Sequence, residues 1–82
     1  MNHIHVLFFA TLKEKAGTRQ AEFDLPDGTT VAQLKVLVTE NYPGLNGMLA
    51  HCLAAIDHEY RSDENVIPPH AEVAFFPPVS GG

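Results

Sequence analysis

Between Thr30 and Asn41 the chain carries one strongly signalled helix, and the segments on either side of it have the period of strands. Thr30-Val31-Ala32-Gln33 has the form of a capping box: the Thr30 hydroxyl accepts from the Gln33 N–H, and the Gln33 side chain accepts from the Thr30 N–H. Val31, Leu34, Leu37 and Val38 then make one apolar stripe. Pro43 pushes Tyr42 out of helical angles, so the helix ends near Asn41. A chain of 82 residues with a single substantial amphipathic helix supports one modest core and can cover one face of one sheet.

The strands follow from alternation. Ile4, Val6 and Phe8 fall on one face of the first, with His3, His5, Leu7 and Phe9 on the other. Residues 11–16 favour a short helical turn stopped by Gly17. A second strand spans residues 19–25, and Pro26-Asp27-Gly28 is a turn. Met48, Leu49 and Cys52 at helical spacing predict one or two turns within residues 44–52. Residues 53–56 read as a short buried strand, Tyr60-Arg61 as the start of an edge strand, and Pro68-Pro69 as a turn. The last strand, residues 71–76, puts Val73 and Phe75 on one face and Glu72, Ala74 and Phe76 on the other. There is no repeat and no linker. The prediction is one α+β domain over residues 1–76 and an extended tail over residues 77–82.

If Ile4, Val6, Phe8, Val73 and Phe75 face the helix, then Leu7, Phe9, Ala74 and Phe76 face away from it. No second substantial helix is available to cover them, so unless loops or the short helical turn do so they form a candidate interface. The net charge of −5 argues against a nucleic-acid partner. Asp57, Glu59, Asp63 and Glu64, opposed only by Arg61, read as a solvated loop, or as a charge that steers toward a basic protein surface. The single cysteine, Cys52, excludes an internal disulfide and points to a cytoplasmic location. No apolar run approaches the roughly twenty residues of a membrane span, and none has the flanks of a signal peptide.

Self-sufficient chemistry is absent. There is no Gly-x-x-x-x-Gly-Lys-Ser/Thr and no Gly-x-Gly-x-x-Gly, so no ATP or dinucleotide site is expected. His3 and His5 share a strand face, but two ligands without a third at motif spacing read as exposed polar positions, and no metal is expected. Cys52 lies among apolar residues and reads as a packed, inert thiol. What remains is the end of the chain, Pro77-Pro78-Val79-Ser80-Gly81-Gly82. The prolines stiffen its base and the glycines keep its tip free of β-carbons, which suits a narrow channel in another protein; a frayed terminus has the same composition. The Gly82 carboxylate becomes electrophilic only once adenylated or esterified, and an external enzyme must do that.

Val6-Leu7-Phe8-Phe9-Ala10 followed by Lys13-Glu14-x-x-Gly17 resembles the opening of molybdopterin synthase small subunits, the MoaD branch of the MoaD/ThiS sulfur carriers. So do Asp27-Gly28-Thr29-Thr30-Val31 with Leu34, Tyr42-Pro43, and the run from Glu72 through Gly82. The resemblance implies a ubiquitin-like β-grasp fold with the first and last strands as parallel neighbours. It implies that Gly82 is adenylated by an ATP-dependent enzyme of the ubiquitin-activating type and converted to a thiocarboxylate, with a sulfurtransferase as sulfur source. The tail, Pro77, Pro78, Val79, Ser80 and Gly81, would thread into the large subunit of a heterotetramer. There Gly82 would give its sulfur to cyclic pyranopterin monophosphate, forming the molybdopterin dithiolene. The catalytic groups would belong to the large subunit, and the carrier would bind no cofactor of its own. Phe9 and Phe76 are the expected interface anchors, with Leu7 and Ala74 beside them. The chain departs from the family pattern at Asp57, where Asn is usual, and at Pro69-His70-Ala71, where Asp-Gly-Asp is common. Two related roles leave the same tail: sulfur carriage for thiamine thiazole synthesis, and ubiquitin-like attachment of Gly82 to target lysines.

Overall fold

Pairing of the first strand with the last organises the computed structural model, which describes residues 2–78. The elements run β1 (Asn2–Phe8), α1 (Thr11–Ala16), β2 (Gln20–Leu25), α2 (Val31–Asn41), β3 (Leu53–Ile56), β4 (Glu59–Arg61) and β5 (Glu72–Phe76). Two 3-10 turns, Pro43–Leu45 and Leu49–His51, fill the connection after α2, where helical spacing predicted one or two turns. The five-stranded sheet has the order β2-β1-β5-β3-β4. β1 and β5 are parallel, from His5 opposite Glu72 to Phe8 opposite Phe75, and the other pairs are antiparallel. This is the mixed β-grasp sheet that the resemblance implied.

The core lies between the sheet and α2. Ile4, Val6 and Phe8 of β1, Val73 and Phe75 of β5 and Ala54 and Ile56 of β3 meet Val31, Leu34 and Val38 of α2, while Leu37 is only partly buried. Leu12 anchors α1 to the same cluster, and Tyr42 packs edge-on against Phe8 and Phe23. The capping box forms as the sequence predicts, with Thr30 Oγ1 accepting from the Gln33 N–H and Gln33 Oε1 accepting from the Thr30 N–H. The next free donors of the helix end, the N–H groups of Val31 and Ala32, reach the carbonyls of Asn65 and Asp63 at 3.0 Å each. The 62–67 loop is thereby tied to the helix rather than left loose.

Three features depart from the sequence reading. Leu53 is 40% exposed although its strand was expected to be buried, because strand parity puts it opposite Phe76 on the face away from α2. Lys35, inside the helix, is buried; its ammonium reaches Asp63 Oδ1 at 2.8 Å and donates to the Cys52 carbonyl at 2.9 Å. Asp63 is therefore part of a half-buried ion pair, and Arg61 pairs with Glu59, so the acidic stretch is not simply a solvated face. The family departures fall at left-handed positions. Asp57 (φ 49°) and His58 (φ 73°) form the two-residue β3–β4 loop, and His70 (φ 60°) precedes β5. Asp57 suits its place, since its carboxylate accepts from the Glu72 N–H at 3.0 Å and its own N–H donates to the Glu72 carbonyl at 2.9 Å.

Gly17 ends α1 in the left-handed region, with φ 80° and its N–H on the Lys13 carbonyl. Gly44 has a different reason: a Cβ placed there would lie 2.2 Å from the Lys15 carbonyl oxygen. The close approach lets the Pro43–Leu45 turn sit directly on α1. Gly44→Ala should therefore destabilise the fold by about 1–3 kcal/mol in urea denaturation, because the clash is with backbone. Unchanged stability would mean that α1 can shift away at no cost.

Candidate functional site

The sheet face opposite α2 is arranged in cross-strand rows. Leu7, Ala74, Ala55 and Tyr60 lie side by side across β1, β5, β3 and β4, and Phe76 and Leu53 form the next row. Phe9, just beyond β1, stacks on Phe76 with ring centroids 4.7 Å apart and planes 11° apart, and Tyr60 meets Phe76 edge-on at 6.2 Å. Phe9 is 41% and Tyr60 68% exposed, although both are large and apolar. An aromatic group held open to water in this way is the expected form of an interaction surface.

The structure brings Leu7, Phe9, Ala74 and Phe76 together as the sequence predicts, with one correction. Ala74 is only 9% exposed, because its small side chain on a central strand is flanked by larger neighbours. It forms the floor of the patch rather than a contact that projects from it. The sequence reading missed Tyr60, Leu53 and Ala55, which belong to the same surface. Period-2 alternation in β3 and β4 contained that information, but the strands are too short to show which face is which without their partners.

The tail begins beside this patch. Pro77 is half-buried and Pro78 exposed, and both line a shallow cavity with Leu12, Met48, His51 and Cys52. The Cys52 thiol donates to the Met48 carbonyl, and burial pushes its pKa up, consistent with an unreactive thiol. Val79, Ser80, Gly81 and Gly82, where the sequence reading placed the chemistry, lie outside the described residues. Among the described residues no helix is long and apolar enough to cross a membrane.

Toward the other end of β1 the same face turns polar. His5 lies between Glu22 and Glu72, and His3 lies opposite Asp24. His3 donates from Nε2 to Glu22 Oε1 at 2.5 Å and from Nδ1 to Asp24 Oδ1 at 2.7 Å.

The family model described as the ThiS family matches residues 6–82. The chain belongs to the ThiS family. The Chlamydomonas reinhardtii relative named molybdopterin synthase sulfur carrier subunit is 35% identical, over 96% of this chain and 98% of its own length. The Caenorhabditis elegans relative of the same name is 33% identical over the whole of both chains. The crystal structure of SAMP1 from Haloferax volcanii, 26% identical, has a TM-score of 0.87 and covers 99% of this chain and 100% of its own. The solved fold is thus that of ubiquitin-like β-grasp proteins, and the ThiS-family match runs through the terminal glycines.

Within this ThiS-family chain the polar cluster makes a prediction about protonation. Hydrogen bonds to Glu22 and then Asp24 raise the His3 pKa above 6.5, and the bond to His3 lowers that of Glu22. The stabilisation from His3 is present at low pH and lost as pH rises through its raised pKa; that from Glu22 is lost as pH falls through its lowered one. NMR titration of the His3 ring should give a midpoint above 6.5, and Glu22→Gln should bring it down. A His3 midpoint unaffected by Glu22→Gln would show that the contact does not hold in solution.

Proposed function

We propose that this chain is the sulfur carrier subunit of a molybdopterin synthase. The observation that carries the reading is a family match extending through Gly82, together with full-length relatives that bear this name. A partner enzyme of the ubiquitin-activating type uses ATP to adenylate the Gly82 carboxylate. The persulfide of a sulfurtransferase then displaces AMP to give an acyl disulfide, and a thiol reduces that S–S bond to release the thiocarboxylate. The large subunit receives the tail and supplies the acid–base groups, and cyclic pyranopterin monophosphate accepts the sulfur. For the sulfur transfer the carrier needs no bound cofactor of its own, and it works in the cytoplasm.

What supports the division of labour is where the surface lies. The Phe9–Phe76 stack and Tyr60 give a partner a hydrophobic foothold at the root of the tail. Docking on this rigid face would spend the binding energy close to the point where the tail must enter a channel. Pro77 and Pro78 restrict the first backbone angles of the tail, which lowers the entropy lost when it threads.

A second reading, attachment of Gly82 to lysines of other proteins, is favoured by the likeness to a small archaeal modifier protein. Incubation with the activating enzyme, ATP and a sulfur source should add the mass of one oxygen exchanged for sulfur. No such species under conditions that adenylate Gly82 would sink the carrier reading. The thiocarboxylate, mixed with large subunit and pterin precursor, should yield molybdopterin; sulfur loading without that product would point to the thiazole role, and lysine conjugates to the modifier role. Removing Gly82 should abolish sulfur transfer while thermal stability stays unchanged. Phe76→Asp should weaken large-subunit binding by about 2–4 kcal/mol, measured by calorimetry, and unchanged affinity would take the patch out of the docking surface.

A further inference from the structure

The polar end of the outer face holds a cluster that sulfur carriage does not use. Antiparallel register puts His5 opposite Glu22 and His3 opposite Asp24. His3 Nε2 lies 2.5 Å from Glu22 Oε1, and His5 Nε2 lies 3.9 Å from the same oxygen. One ligand atom from each of His3, His5 and Glu22 falls within 4.8 Å of the others. We propose that His3, His5 and Glu22 bind a divalent transition-metal ion of the zinc class, with Asp24 as the positioning residue for His3.

The donor set decides the class of ion. Two imidazoles and one carboxylate suit zinc and its borderline neighbours, whereas magnesium and calcium take oxygen ligands. The sequence offered His3 and His5 on one strand face and no third ligand; strand pairing supplies the third from β2. Asp24 strengthens the case because it already accepts from His3 Nδ1 at 2.7 Å. That contact keeps the proton on Nδ1 in the neutral ring and leaves the Nε2 lone pair facing Glu22, the carboxylate–histidine–metal arrangement.

Little has to move. With zinc–ligand bonds of about 2.0–2.2 Å, tetrahedral ligand atoms stand about 3.3 Å apart. The 2.5 Å and 3.9 Å separations bracket that value and the His3 and His5 ligand atoms lie within 4.8 Å of each other, so the side chains must rotate to close the site while the paired strands stay in place. The ion takes the place of the proton shared by His3 Nε2 and Glu22 Oε1, and that proton goes to solvent. Asp24 and Glu72, the latter opposite His5 on β5, add negative charge around the dication. Three protein ligands leave the fourth position open to water.

The test is calorimetric titration of the tag-free full chain with zinc chloride, followed by cobalt(II) substitution and its visible absorption. One zinc per chain should bind, with perturbation confined to the His3 and His5 ring signals by NMR. His5→Ala and Glu22→Gln should each weaken zinc binding at least tenfold. Asp24→Asn should weaken it by about 10–100-fold and alter the cobalt(II) spectrum, which a merely structural role would leave unchanged. Circular dichroism checks that the variants stay folded, as expected for exposed positions. Absence of zinc binding below millimolar concentration would overturn the proposal. So would native affinity in both His5→Ala and Glu22→Gln, which would place the ion elsewhere, and so would an Asp24→Asn variant with native affinity and spectrum, as far as Asp24 is concerned.

Discussion

Everything on this molecule that faces a partner depends on the parallel pairing of β1 with β5. It joins His5–Phe8 to Glu72–Phe75, segments from opposite ends of the chain, and so carries a large loop-closure cost. What offsets that cost is burial: Val6, Phe8, Val73 and Phe75 lie in the core, three of them with no exposed surface. Once the strands are paired, Phe9 and Phe76 emerge side by side and stack, and Pro77 follows directly. The aromatic patch and the root of the tail are neighbours because the first and last strands are.

One substantial helix for a two-faced sheet has a second consequence. α2 covers the side bearing Ile4, Val6, Val73 and Phe75, which leaves the other side to be finished by surface chemistry. Its rows grade from Phe9, Phe76, Leu53 and Tyr60 at one end to His3, His5, Glu22, Asp24 and Glu72 at the other. One end suits burial against an apolar partner; the other suits protons and metal ions. Both ends are held on paired strands, so neither needs to be ordered when it is used.

The loops show the same economy of means. The 62–67 loop satisfies the N-terminal donors of α2 through the Asn65 and Asp63 carbonyls, and the Asp63 carboxylate also meets buried Lys35. Lys35 in turn holds the Cys52 carbonyl, the position from which β3 sets out. A charged residue inside the helix thus links the loop on one side to the sheet on the other. Removing the Asp63 carboxylate would leave the buried Lys35 ammonium short of a contact in a poorly hydrated place.

Local patterns in the sequence determined the helix and its cap, the stop at Gly17, the strand faces of β1 and β5 and the tail composition, because each rests on spacing between near neighbours. The membership of the outer patch was half legible: Leu7, Phe9, Ala74 and Phe76 follow from alternation in two long strands. Tyr60 and Leu53 do not, since a strand of three or four residues has no clear phase until it is paired. The third and fourth members of the His3 cluster were invisible for a stronger reason. Glu22 and Asp24 meet His3 and His5 only through the β1–β2 register, and a shift of one residue would have sent them to the opposite face. The sequence alone therefore determined which elements form and what the tail is made of. Strand order and register, contacts between residues distant in the chain, decided which side chains share a surface and what that surface can hold.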